Sequence, residues 1–283
     1  MTIRLVADSS ANPIQDPTLE VRYAPLKMTV GNQEFVDNAS LDMDAFLTAM
    51  ESHRGKTFTA CPSVSDWLDT FRGADTVLGV SITSNLSGSY NAGLVAAEEY
   101  QSENPEAKVF LMDTLSTGPE MMLILEKYRE LAEAGASFEE IVERAKAYSK
   151  TTHLVFSLES LENLAKNGRV SPIIAKAAGL LGIRVIGRAS QEGTLEPLHK
   201  ARGEKKALRQ IYASMEDLGY QGGKARIAHT RNEAAALQLR DMVLAAFPGA
   251  DVTVSDNGGL CACYSERGGI MVGFETDSTA AKE

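Results

Sequence analysis

The residues Ser81-Ile82-Thr83-Ser84-Asn85-Leu86-Ser87-Gly88-Ser89-Tyr90-Asn91-Ala92 hold the densest set of groups in this chain able to grip a ligand. An apolar run ends at Ile82, small hydroxyl residues and one glycine follow, and a helical pattern starts at Tyr90. Strand, hydroxyl-rich loop and helix in that order point backbone N–H groups and serine oxygens at an anion. Thr59-Ala60-Cys61-Pro62-Ser63 is a second loop of this kind. Pro62 restricts Cys61 to an extended conformation, and Ser63 is placed to cap a helix carrying Trp67 and Phe71. Thr59 and Ser87 read either as donors to a carboxylate or phosphate, or as plain helix caps. Ser87 lacks the context of a nucleophile, because no G-x-S-x-G surrounds it and the histidines lie on segments that read as structural. A Walker A loop and a GxGxxG opening are also absent. Arg169, after Asn167-Gly168, and Arg202, after His199-Lys200-Ala201, could each bind a carboxylate or phosphate, or simply pair with a surface acid.

The elements that would carry these loops follow from apolar periodicity. Ile3 to Ala7, Val77 to Ile82 and Val109 to Met112 are short apolar runs, each broken by a polar loop, and helical periodicity follows the second and third. Such alternation argues a parallel sheet covered on both faces, with ligands bound beyond the carboxyl ends of its strands. Those ends hold Asp8, Ser9, Ser84, Ser87, Ser89, Asp113 and Thr114. Between the first two units lies an excursion from Val21 to Phe58. It contains a hairpin from Leu26 to Val36 turning at Gly31-Asn32, then a helix from about Leu41 to Met50 capped by Ser40. Ser137 and Glu140 form a capping box for a helix to Lys150.

Beyond it the pattern changes. His153 to Phe156 reads as a strand, and Leu161 to Lys166 as a short helix. Pro172 falls at a first helical position. Ile183 to Ile186 and Thr194 to His199 read as a hairpin. Two helices, Glu204 to Leu218 and Glu233 to Phe247, lead to a last strand, Ile270 to Phe274. Residues 256–269 carry two glycine pairs and read as a loop, either close to a ligand or a plain connection. Thr276 to Glu283 reads as a frayed tail. The expected fold class is α/β in two lobes: an N-terminal parallel-sheet α/β domain over 1–152 and a C-terminal α+β domain over 153–283.

Composition narrows the partners. Hydrophobic residues make up 44% and charged residues 23%, as in an ordinary soluble domain, and the net charge of −10 argues against nucleic acid. No apolar run reaches the roughly 20 residues that span a bilayer. The start MTIRLVADSS lacks the features of a signal peptide. Three cysteines fit a reducing compartment, so a cytoplasmic location is expected. Cys61, Cys261, Cys263 and the four histidines show no metal-ligand spacing, and no metal or other cofactor is expected.

Taken in order, these motifs resemble the DegV family of bacterial fatty-acid-binding proteins. Asp8-Ser9-Ser10 resembles its D-S-[ST] element, and Thr59 to Ser63 resembles T-S-Q-P-S. Leu86 to Ala92 is similar to L-S-G-T-Y-x-x-A, Asp113-Thr114 to a D-S pair, and Leu161 to Ser171 to L-x-x-L-x-x-G-G-R-[IV]-S. The closing Gly273-Phe274 loosely matches G-[IVF]-G-[FY]. The resemblance implies two α/β lobes with a long-chain fatty acid buried between them. It implies a carboxylate held by Thr59 and Ser87, helped by the Gly88 N–H and Tyr264. It also implies a non-catalytic subunit that presents lipid to a fatty acid kinase, a role compatible with transient membrane contact. Cys61 borders this head-group set, while Arg169 and Arg202 belong to the head-group region or the kinase surface. Two departures stand out. The family's H-T-G-P-G becomes Tyr264-Ser265-Glu266-Arg267-Gly268, which replaces an imidazole with a phenol and re-routes the loop. Ala60 and Cys61 replace Ser and Gln. Two other readings stay open. One is a phosphotransferase or acyl-transfer enzyme of dihydroxyacetone-kinase-like fold; the other is a sensor module for a non-lipid ligand.

Overall fold

A computed structural model describes residues 2–12, 20–171 and 182–277. The first half is built on a sheet in the order β2-β1-β6-β7, parallel throughout. Its strands are β1 (Ile3–Asp8), β2 (Val21–Ala24), β6 (Thr76–Ser81) and β7 (Lys108–Asp113). Every residue of β6 is buried, which explains its unbroken apolar run: helices cover both faces. On one face lie α2 (Val64–Phe71) and α3 (Ser89–Glu103), packing Trp67, Phe71 and Tyr100 against Val6 and Leu111. On the other lie α4 (Pro119–Glu133) and α5 (Phe138–Ser149), packing Met121, Ile124 and Tyr128 against Leu5, Leu78 and Val80. The capping box expected at Ser137 is formed with Glu140, and Ser63, expected as a cap, forms a full capping box closed by Asp66.

The excursion forms a three-stranded antiparallel sheet, β4-β3-β5, from β3 (Lys27–Val30), β4 (Gln33–Val36) and β5 (Thr57–Ala60), with α1 (Met43–Ser52) beside it. The hairpin turns at Gly31, whose φ of 61° suits glycine. Asp42, and not Ser40, caps α1, accepting the Ala45 amide at 2.9 Å. Ser40 instead donates its hydroxyl to Asn38 at 2.7 Å, one of the local turns that compete with capping.

The second half is α+β. Its sheet runs β10-β9-β8-β13-β11-β12 and is antiparallel except at β11–β12. The strands are β8 (Thr152–Leu158), β9 (Ile183–Ala189), β10 (Leu195–Arg202), β11 (Ala225–His229), β12 (Val252–Asp256) and β13 (Ile270–Glu275). The last strand of the chain thus lies inside the sheet. A short helix, α6 (Glu162–Lys166), follows β8, while α7 (Glu204–Asp217) and α8 (Glu233–Ala246) cover one face. The opposite face meets α4 of the first half. Gly273 on β13 makes that contact close, since a Cβ there would fall within 2.4–2.5 Å of the Pro119 and Glu120 backbone.

Three expectations change. β11 and β12 were not evident in the sequence because Arg226 and His229 interrupt β11. Arg226 is nevertheless buried, its charge met by Glu126 at 2.7 Å and Asp251 at 2.8 Å. Residues 256–269 are not simply loop, for Gly259–Ser265 form a helix, α9. The tail is anchored at Thr276, whose amide donates to Thr151 O at 2.8 Å and whose hydroxyl donates to the same oxygen at 3.0 Å. Pro172 lies outside the described residues, as does the tail from 278. Among the described residues no helix is long and apolar enough to cross a membrane.

Candidate functional site

Strand alternation gives β8 two faces. Val155 enters the core under α7 and α8, while Leu154, Phe156 and Leu158 look toward the first half. Between them and the loops after β6 and β7 lies a chamber of about 330 Å³, at the small end of the range for ligand pockets. Leu26, Ile82, Leu86 and Leu115 close it from the N-terminal side. Leu195, on β10, and Met271, on β13, belong to the other wall. Gly193, in the β9–β10 turn, seals one edge. Its φ is 72°, and a Cβ there would meet Thr83 Oγ1 at 2.2 Å.

One rim of this chamber is polar. Thr59, Cys61, Ser87, Gly88, Arg169 and Tyr264 all border it, so six residues singled out by motif are brought together. Arg202 is not: it is exposed at the end of β10, away from the lining. Thr59 Oγ1 and Tyr264 Oη are 2.7 Å apart, joining β5 to α9 across the chain's two halves. Ser87 Oγ accepts the Ser89 amide at 3.2 Å, and Gly88 sits at the start of α3. The close approach of Cys61 Sγ, 3.3 Å from where a Gly88 Cβ would stand, leaves little room there for a larger residue. Arg169 Nε donates to Leu86 O at 3.3 Å, which ties the segment after α6 to the Ser87 loop.

The chemistry of this rim is that of donors. Burial pushes the Tyr264 phenol above its ordinary value, against the opposing pull of the Thr59 hydrogen bond and the Arg169 charge. The phenol therefore keeps its proton at neutral pH. Cys261 also borders the chamber, and burial pushes its thiol up to about 12, which makes it a poor nucleophile. Its Sγ donates to Ser10 O at 3.3 Å.

Several polar residues expected near a ligand are used up in holding the loops. Asp8 is fully buried and accepts Ile82 N and Ser81 Oγ at 2.9 Å, Ser89 Oγ at 2.6 Å, and the Ser10 hydroxyl. It thereby fixes the strand end and helix start on either side of Ser87. Asp113 accepts the Ser84 and Leu115 amides at 3.1 Å, and Thr114 Oγ1 donates to Ser81 O at 2.9 Å. Asp37 was missed in the sequence. It is buried after β4 and accepts the Gly259 and Leu260 amides at 2.6 and 2.9 Å. A lone aspartate after a hairpin gives no local sign of partners more than two hundred residues away.

Fold and site together define a two-lobed α/β protein with an apolar chamber between the halves and hydroxyl donors at its rim. The family model described as "Uncharacterised protein, DegV family" matches residues 2–277, and the chain belongs to the DegV family. A DegV domain-containing protein of Streptococcus pneumoniae, spr0652, is 41% identical over 281 residues, covering 98% of this chain and 100% of the relative. The crystal structure of a DegV family protein from Eubacterium eligens, loaded with heptadecanoic acid, superposes with a TM-score of 0.95 at 45% identity, covering 98% of this chain and 100% of that one. The Streptococcus pneumoniae Fatty Acid Kinase (Fak) B3 protein, loaded with linoleic acid, gives a TM-score of 0.96 at 41% identity, with the same coverage.

Proposed function

We propose that this protein binds a long-chain fatty acid, with the acyl tail in the interlobe chamber and the carboxylate at the polar rim. The observation that carries this reading is the joining of an apolar chamber to a rim where Thr59, Ser87, Gly88 and Tyr264 stand together. Likeness to structures holding heptadecanoic and linoleic acids supports it. About 15 methylenes at about 0.8 kcal/mol each give on the order of 12 kcal/mol of gross burial. Association costs remove several kcal/mol of that. An unpaired carboxylate would cancel much of the remainder, so convergent donors are required.

In this reading the protein is a carrier rather than a catalyst. Its raised Tyr264 and Cys261 are donors and not nucleophiles, which supports that role. The named kinase protein among its structural neighbours supports presentation of the lipid to a partner kinase, with the exposed Arg202 available to that partner. The two lobes divide near residue 152, where β8 opens the second sheet. Unpaired Cys61, Cys261 and Cys263 suit a cytoplasmic setting. Native mass spectrometry of protein purified from a bacterial host tests the reading. An added mass matching a fatty acid is expected. A bare protein that cannot be loaded by added fatty acid overturns it.

A further inference from the structure

Asp37 is only 5% exposed, yet its carboxylate serves no strand of its own sheet. One oxygen accepts the Gly259 amide at 2.6 Å, and the other accepts the Leu260 amide at 2.9 Å and the Ser9 hydroxyl at 2.8 Å. The fit is tight. A Cβ on Gly259 would fall 2.6–2.8 Å from Leu41, Met28 and Asp37 Oδ1. The first turn of α9 is therefore pinned to the N-terminal lobe. Tyr264 stands one helical turn beyond Leu260, and both border the chamber. Any slide of α9 carries Tyr264 Oη with it, while Thr59 stays on β5 of the other lobe.

We infer that Asp37 is a positioning residue for head-group recognition: by anchoring α9 to the N-terminal lobe it holds Tyr264 within hydrogen-bond reach of Thr59, so that donors from both lobes converge on one carboxylate. This rests on the carboxylate-binding reading above. Only a carboxylate suits the place. An amide side chain has one accepting oxygen and would turn its NH₂ toward another donor. The resulting shift of α9 need only be a fraction of an ångström to spoil the Tyr264 geometry.

The test compares stearic acid with its methyl ester, which keeps the tail and loses the charge. Dissociation constants of both are measured for wild type, Asp37→Asn and the gentler Ser9→Ala, which removes one donor to Asp37. Wild type is expected to prefer the acid. Asp37→Asn is expected to shrink that preference about tenfold, the worth of one hydrogen bond to a charged group, with ester affinity unchanged; Ser9→Ala is expected to act in the same direction, less strongly. Equal weakening of acid and ester marks a merely structural residue and overturns the inference. An unchanged preference overturns it as well. If Asp37→Asn fails to fold, Ser9→Ala decides by the same two criteria. A wild type that binds both ligands equally refutes the head-group reading and this inference with it. A wild type that discriminates alongside an Asp37→Asn that still does refutes this inference alone.

Discussion

Replacing Tyr264 by phenylalanine tests whether its phenol is the head-group donor we propose for the C-terminal lobe. The phenol lies 2.7 Å from Thr59 Oγ1 at the chamber rim, and burial holds it in its donating form. A hydrogen bond to a charged acceptor contributes about 1.5–3 kcal/mol, which converts to a roughly 10- to 150-fold change in dissociation constant. The lower end applies here. Without the phenol, the Thr59 hydroxyl is released to turn fully toward the carboxylate, and the half-buried rim admits water. We therefore expect Tyr264→Phe to weaken fatty acid binding about tenfold, read by displacement of a fluorescent fatty acid at equilibrium. Tyr264→His sharpens the test. Imidazolium next to the bound carboxylate strengthens binding at low pH, and that gain is lost as pH rises through the pKa of the histidine in the complex, which the carboxylate raises. Wild-type affinity should stay flat between about pH 6 and 8, since a raised phenol does not titrate there. An unaltered constant for Tyr264→Phe, or a histidine variant as flat as wild type, would refute the assignment of Tyr264 to the head group.

Two further predictions concern the frame that positions the rim. Gly273→Ala drives a methyl into the Pro119 and Glu120 backbone, which cannot rotate away. It should cost about 3 kcal/mol, seen as a lower urea midpoint, and an unchanged midpoint would show that α4 does not press on β13. Burial raises the Asp8 and Asp37 carboxyls above 3.8, against the pull of their hydrogen bonds. Their protons are then bound more tightly in the folded chain than in the unfolded one, so their contribution to stability is complete below 3.8 and is lost as pH rises through the raised values. The stability of wild type minus that of Asp8→Asn should accordingly grow as the pH is lowered through that window; a difference that stays level or shrinks would contradict it.

Much of the parallel sheet was legible because local physics fixes it. A strand buried on both faces shows as a solid apolar run, as in β6, and helix caps such as Ser63 and the Ser137–Glu140 box depend only on neighbours three residues apart. β11 was hidden because a buried arginine reads as surface until Glu126 and Asp251 are seen to neutralise it. α9 was hidden because glycine pairs flank a stretch of seven residues, too short for a periodic signal. Of the residues bordering the chamber, motifs supplied Thr59, Cys61, Ser87, Gly88, Arg169 and Tyr264, and the structure set Arg202 apart from them.

The sequence alone determined which groups could meet an anion: small hydroxyls and a glycine placed where strands end and helices begin, because those preferences act over a few residues. Tertiary structure decided the rest. Leucines lining a chamber cannot be told from leucines filling a core, since burial selects both for the same apolar surface. Asp37 acquires its role only when folding brings it against amides more than two hundred residues along the chain.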